Sequence, residues 1–261
     1  MITLIQISDC HLFSDKAKKG YAQISPYASL SSVLRAMQPR LQDNIGKTLV
    51  LTTGDISGDS SEQSYTDFVT LMREYTEAQG VPWYVLPGNH DNNPYFHEQL
   101  GHKNLTCDAP LLLDNWVIAG MDTRISSQPN TAKGEIRQQQ LDSLAANVAT
   151  WPDYHHLIAL HHHIQPSCSW MDKHALHNAQ SLEVFVSRTA QVKALIHGHI
   201  HSSLRQHIGD SATPSYGCPS TCWQWEMQAE FGVSREAPGY QILSLHSDGI
   251  VEVDVKRLAL T

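Results

Sequence analysis

Residues 48–59 read TLVLTTGDISGD: six residues of high β propensity, then a glycine–aspartate turn. Beyond it, in SSEQSYTDFVTLMREYTEAQG (60–80), Phe68, Leu71, Met72 and Tyr75 recur at helical spacing, Ser60 and Gln63 are spaced as a capping box, and Gly80 suits the C-terminal end. A strand handing over to an amphipathic helix through a polar turn is half of a βαβ unit. The pattern repeats outward from this stretch. ITLIQIS (2–8), VPWYVL (81–86), NWVIAG (115–120), HHLIAL (155–160) and VKALIH (192–197) are further short β-rich runs, and Glu135 to Val148 is a second helix candidate with Leu141, Leu144, Ala145 and Val148 on one face. The expectation is an α/β protein with a largely parallel sheet. After residue 201 strands and turns take over, and GYQILSLHSDGIVEVDVKRL (239–258) predicts a hairpin turning at Asp248-Gly249, so that a β-rich C-terminal part packs on the α/β part.

The chain has 261 residues, 41% hydrophobic and 17% charged, enough to bury a full core as one domain over 1–261. Its net charge of −8 argues against nucleic acid or an anionic membrane as partner, without excluding a small anion held by a metal. The longest apolar runs, Thr48 to Leu51 and His156 to Leu160, fall far short of the roughly 20 residues that span a bilayer. MITLIQISD has no basic n-region or cleavage site, which predicts a cytoplasmic protein. Five scattered cysteines (10, 107, 168, 218, 222) form neither a disulfide framework nor a zinc-ribbon spacing and are expected to be reduced. Sixteen histidines, by contrast, invite a search for a metal site.

Ligand-type residues cluster directly after the predicted strands, where open α/β sheets bind their ligands. Asp9 and His11 are two apart; if the strand continues, both point to one face and Cys10 points into the core. Asp55 follows TLVLTTG. In GNHD, Gly88 permits a tight loop, Asn89 offers a neutral oxygen, and His90 and Asp91 offer proton chemistry or orientation. His161 to His163 follow LIAL, and His199 and His201 repeat the i, i+2 spacing after VKALIHG. Any one cluster has an ordinary reading as a turn; five in succession point to a shared site.

The order DxH, GD, GNHD, H, GHxH resembles the calcineurin-like metallophosphoesterase superfamily, a four-layer α/β/β/α sandwich with a two-metal centre. QISDCHLF, LHHHIQPSCSWMDKHALHNA, PSTCWQWE and APGYQILSLHSDG extend the likeness to class III cyclic-nucleotide phosphodiesterases, over about residues 3 to 257. The resemblance implies one metal held by Asp9, His11, Asp55 and His201, another by Asp55, Asn89, His161 and His199, and hydrolysis of 3′,5′-cyclic AMP to 5′-AMP. In the triple histidine, Ile164 and Gln165 precede Pro166 where the family usually has a proline sooner; His161 is taken as the ligand, His162 as the runner-up and His163 as a pocket-lining residue. Imidazole, carboxylate and amide donors without thiolate suit iron, manganese or zinc better than calcium or copper(I).

By the same resemblance, a hydroxide bridging two ions about 3.5–4 Å apart attacks phosphorus. His90 is the candidate for protonating the departing ribose oxygen, and Asp91 would orient an imidazole. His11, Asn89, His90, His163 and His201 would line the substrate. Trp170, Trp223 and Trp225 either stack on the base or pack as core and rim. The competing readings are a broader phosphodiesterase or phosphomonoesterase, acting on glycerophosphodiesters or 2′,3′-cyclic nucleotides, and a binding module on the same scaffold. A nuclease is disfavoured for want of a basic track. The sequence leaves oligomeric state open.

Overall fold

A computed structural model describes residues 1–43 and 46–259. Its principal strands, in chain order, are β1 (Ile2–Ile7), β2 (Thr48–Thr53), β3 (Trp83–Leu86), β4 (Leu111–Leu113), β5 (Trp116–Gly120), β6 (His155–Ala159), β7 (Val192–His197), β8 (Leu204–His207), β9 (Pro214–Gly217), a short pair β10 (Gln224–Trp225) and β11 (Val233–Ser234), then β12 (Gly239–Leu245) and β13 (Val251–Arg257). The α-helices are α1 (Pro26–Leu41), α2 (Glu62–Tyr75), α3 (Pro94–Leu100), α4 (Gln138–Thr150) and α5 (Ala179–Ser187).

Two mixed sheets form, in the orders β13-β12-β1-β2-β3 and β4-β5-β6-β7-β9-β8. In the first, β1, β2 and β3 are parallel while β12 and β13 run antiparallel; in the second, β5, β6, β7 and β9 are parallel between antiparallel edges. The pleat sorts their side chains into layers. Ile2 and Leu4 of β1 face Trp116, Leu157 and Ile196 of the other sheet in a shared central core. Ile5 and Ile7 point outward onto Leu34 and Met37 of α1 and Phe68 of α2. Ile158 and Leu195 of the second sheet likewise meet Leu144 of α4 and Leu182 of α5. The result is the four-layer α/β/β/α sandwich.

Three expectations are corrected. The C-terminal strands do not form a part packed on the α/β body: β8 and β9 complete one sheet, β12 and β13 the other, because each finds an open strand edge there. Helix α2 is capped by Ser61, whose Oγ accepts from Ser64 N at 3.2 Å, not by Ser60, which sits just outside at φ 54°. The helix ends at Tyr75, and Gly80, at φ 74°, closes a following 3-10 turn. On α4, Leu144 is buried and Leu141 packs against the same core as expected, but Ala145 faces solvent and Gln140 and Asn147 complete the buried stripe. Hydrogen bonds from Gln140 Nε2 to the Asp122 carbonyl (3.0 Å) and from Asn147 Nδ2 to the Cys107 carbonyl (2.9 Å) anchor that face. The hairpin turns at Asp248-Gly249 as expected, pairing Leu245 with Val251. All five cysteines are free thiols, and no helix among the described residues is long and apolar enough to cross a membrane.

Candidate metal centre

Each ligand cluster lies at the C-terminal end of a parallel strand, three from the first sheet (β1, β2, β3) and two from the second (β6, β7). The strands, however, stop short of the clusters: β1 ends at Ile7 and β7 at His197. The i, i+2 residues therefore converge by another device than strand pleating. Asp9 (φ 54°), His11 (φ 46°), Asp55 (φ 53°), His199 (φ 70°) and His201 (φ 44°) all occupy the left-handed region, which turns the chain inward at these five positions. Such residues are uncommon outside glycine, cost about 1–3 kcal/mol each and concentrate where surrounding structure holds them for function. Cys10 between them is buried in the outer core, as expected. Close approach of the loops demands glycine: a Cβ on Gly198 would stand 2.0 Å from Ser8 Oγ, and one on Gly88 2.2 Å from Asp55 Oδ1.

The donor atoms fall into overlapping groups, each within 4.8 Å: Asp9, His11 and His201; Asp9, Asp55 and His161; His11, Asp55 and His90; and His161, His162 and His199. His11 Nε2 lies 3.0 Å from His201 Nε2, which is 3.3 Å from Asp9 Oδ1. Asp55 Oδ2 stands between the two halves, 3.7 Å from His11 Nε2 and 3.4 Å from His161 Nε2. Asn89 Oδ1 is 3.2 Å from His161 Nε2.

Backbone carbonyls set the tautomers. His161 Nδ1–H donates to Thr53 O (2.7 Å), His201 Nδ1–H to Trp223 O (2.9 Å) and His199 Nε2–H to His174 O (3.1 Å). In the neutral rings the second nitrogen is then a lone-pair acceptor: Nε2 of His161 and His201, Nδ1 of His199. At His161 that nitrogen faces carboxylate and amide oxygens, an acceptor against acceptors, and at His201 it faces Asp9 Oδ1 and the His11 ring nitrogen, arrangements that a cation between them would satisfy. The arrangement thus fits metal ions, with the carbonyls as the outer partners that orient ligating imidazoles.

The electrostatics agree. Burial pushes the Asp55 carboxyl up, but His161, His90 and His11 pull it well below the usual carboxylate range, and Asp9 is lowered against its own burial chiefly by His201. Burial pulls His11 down to about 3, and burial with neighbouring imidazoles holds His199 well below its ordinary value. His161 alone goes the other way: against burial, Asp55 carries it up to about 9, so a proton answers there the demand a metal would meet.

Other expected residues divide. His90 is exposed, its backbone N–H held by Asp55 Oδ1 at 2.9 Å and its ring 4.8 Å from that of His11. Asp91 contacts no imidazole: fully buried, it accepts from the backbone N–H of Ile56 (3.1 Å), Ser57 (3.1 Å) and Gly88 (2.9 Å) and from Tyr65 Oη (2.8 Å), so it clamps the Asp55 loop to the Gly88 turn instead. His162 donates to or accepts from Thr123 Oγ1 (2.7 Å) and packs 4.6 Å from the His199 ring, leaving His161 as the imidazole at Asp55. His163 is not among the residues lining the cavity beside His11 and His90; it is buried behind His199, rings 5.8 Å apart, with Nε2 3.4 Å from Asp172. Trp170, Trp223 and Trp225 line a cavity of about 780 Å³ whose inner end is His11 and His90, and Tyr21, Gln23 and Phe231 join them there. Sequence reading missed those three because Tyr21 and Gln23 lie in a single 3-10 turn and Phe231 in an irregular segment, both too short for a periodicity to mark them.

Residues 2–203 match the calcineurin-like phosphoesterase family. The 3′,5′-cyclic adenosine monophosphate phosphodiesterase CpdA of Haemophilus influenzae is 32% identical over 99% of this chain and 90% of its own length. Its namesake in Escherichia coli K12 is also 32% identical, over 100% and 91%. Among solved structures, a dimetal phosphatase from Danio rerio shares the fold at a TM-score of 0.67 with 15% identity, covering 94% of this chain and 93% of that one. With the motif residues gathered at one buried centre and the match spanning most of the sequence, the chain belongs to the calcineurin-like phosphoesterase family of metal-dependent hydrolases.

Proposed function

We propose that the protein hydrolyses 3′,5′-cyclic AMP to 5′-AMP, as a cytoplasmic enzyme whose single domain spans 1–261. What supports cyclic AMP over phosphate esters at large is the full-length likeness to the CpdA phosphodiesterases. Asp9, His11, Asp55 and His201 would hold one ion and Asp55, Asn89, His161 and His199 the second, with iron or manganese the first candidates and zinc the third. When bound, such a pair supplies an activated water as nucleophile and neutralises charge on the phosphoryl oxygens. The chain's own part is to orient and to move a proton. The outer carbonyls of Thr53, His174 and Trp223 keep the rings turned inward. His90, whose backbone N–H is held by Asp55 at the inner end of the cavity, gives its ring proton to the ribose O3′ as the P–O3′ bond breaks. The complete donor set disfavours a mere binding scaffold.

The test is a hydrolysis panel on metal-reconstituted protein: cyclic AMP, cyclic GMP, 2′,3′-cyclic AMP, a glycerophosphodiester and a phosphomonoester. The highest kcat/KM is expected for cyclic AMP, with 5′-AMP as product. A preference for 2′,3′-cyclic nucleotides or monoesters would overturn the named substrate while leaving the family standing.

A further inference from the structure

We propose that the aromatic cavity beside the metal centre is a nucleobase subsite, in which Tyr21 and Phe231 close on the face of the ring and Gln23 reads its polar edge. The inference rests on the cyclic-nucleotide reading and goes beyond it by saying which residues set the preference. At about 780 Å³ the cavity is far larger than a phosphoryl group requires, and it opens directly from His11 and His90. Whatever ester meets the metal centre therefore projects its substituent onto these walls.

The walls are largely aromatic. Trp223 stacks on His11 at 5.2 Å, and Tyr21 packs 5.4 Å from Trp223 and 5.1 Å from Trp225. Phe231 packs 5.0 Å from Trp170 and 5.6 Å from Trp225. A cluster built only as core would bury its outer members, yet Tyr21 remains 50% and Phe231 52% exposed while lining the cavity. Apolar ring surface left open at the end of a reaction centre is surface for a planar apolar ligand to cover.

The segment bearing Tyr21 is shaped to this wall. Gly20 lies so close on the Trp223 face that a Cβ would come within 2.1 Å of the indole, and Ala22 (φ 51°) and Gln23 (φ 59°) turn the chain so that Gln23 lines the cavity. Its amide carries a donor and an acceptor side by side, the pair that matches neighbouring groups on a purine edge. A quaternary ammonium is the other guest of aromatic pockets. No carboxylate lines this one to balance such a charge, and its rings pack edge to face on one another rather than boxing a single point.

The deciding measurement compares cyclic AMP with a base-free analogue, methyl riboside 3′,5′-cyclic phosphate, on the metal-loaded wild type and on Tyr21→Ala, Phe231→Ala and Gln23→Ala, with metal content checked for each. The wild type is expected to favour cyclic AMP in kcat/KM by at least about tenfold, as base–aromatic stacking allows. Each aromatic variant should lower that ratio about tenfold through KM, with kcat for cyclic AMP little changed. Equal rates on the two substrates in the wild type would overturn the subsite and leave cyclic phosphodiester hydrolysis intact. Variants that lose activity on both substrates alike would show a structural role and also overturn it. If the wild type cleaves neither cyclic phosphate but does cleave glycerophosphocholine, the cyclic-nucleotide reading itself falls.

Discussion

Asp55 serves three partners at once: Oδ1 accepts the His90 backbone N–H at 2.9 Å, while Oδ2 faces the His161 and His11 rings at 3.4 and 3.7 Å. Asp55→Ala should therefore empty both halves of the centre. Metal analysis of the purified variant is expected to show loss of bound ions, and activity should fall well beyond the roughly 10–100-fold that losing an outer partner costs. His90 is separable from the ligands because its side chain is exposed. His90→Ala should keep its metals yet lose about 10²- to 10⁴-fold on cyclic AMP, and much less on bis(p-nitrophenyl) phosphate, whose leaving group needs little protonation. Equal losses would reassign the residue to phosphate positioning. Asp91 belongs to a different account. Replacing its buried carboxylate by an amide in Asp91→Asn sets an NH₂ group against two donors, either the Ile56 and Gly88 N–H groups or the Ser57 N–H and the Tyr65 hydroxyl, and urea unfolding is expected to show a loss of about 3 kcal/mol. GNHD announced a functional pair, but which of the two adjacent residues faces the cavity and which clamps backbone depends on where the turn points each side chain.

At the scale of elements, β runs and helical periodicity were readable because burial on a pleat or a helix face imposes a repeat. Caps were readable only approximately, since neighbouring serines satisfy the same pattern and φ decides between them. Ser60 at φ 54° cannot present its hydroxyl as Ser61 does. Ser61→Ala should destabilise the protein by about 1 kcal/mol, whereas Ser60→Gly, which relieves a left-handed residue, should be neutral or slightly stabilising; paired denaturation curves distinguish them. The stripe of α4 was misread for a related reason. Gln140 and Asn147 look like surface residues, yet their amides satisfy carbonyls of the loops beneath, and burial follows the hydrogen bonds rather than hydropathy.

For the whole molecule, the centre sits where loops from both sheets meet, and burial holds several of the histidines in and behind it well below their ordinary value. Burial holds His11 at about 3 and His163 and His197 at about 4. In the unfolded chain they protonate near their ordinary value of about 6.5, so below it the unfolded state binds more protons and stability falls with pH, by up to about 1.4 kcal/mol per unit for each such group. His161, raised to about 9, works oppositely: its contribution is full below about 6.5 and is lost as pH rises through 9. The lowered groups outnumber it. Metal-stripped protein should therefore show a lower unfolding midpoint at pH 5 than at pH 7, and Mn²⁺ added at pH 7 should raise the midpoint. A midpoint that rises on acidification would contradict the buried neutral state.

The sequence by itself determined the strand–helix alternation, the ligand types and their order along the chain, since local propensity and side-chain chemistry are carried by each segment alone. The hairpin at Asp248-Gly249 belongs to the same class, because its turn residues dictate it. Only the tertiary structure decided that the late strands divide between two sheets, a choice made by which edges remain open to pair. It also decided that Asp9, His11, Asp55, His199 and His201 reach the centre through left-handed backbone rather than along a continuing strand. Such conformations cost free energy locally and persist because packing, loop-to-loop hydrogen bonds and the centre itself offset the cost, and those forces exist only once residues from 9 to 201 have been brought together.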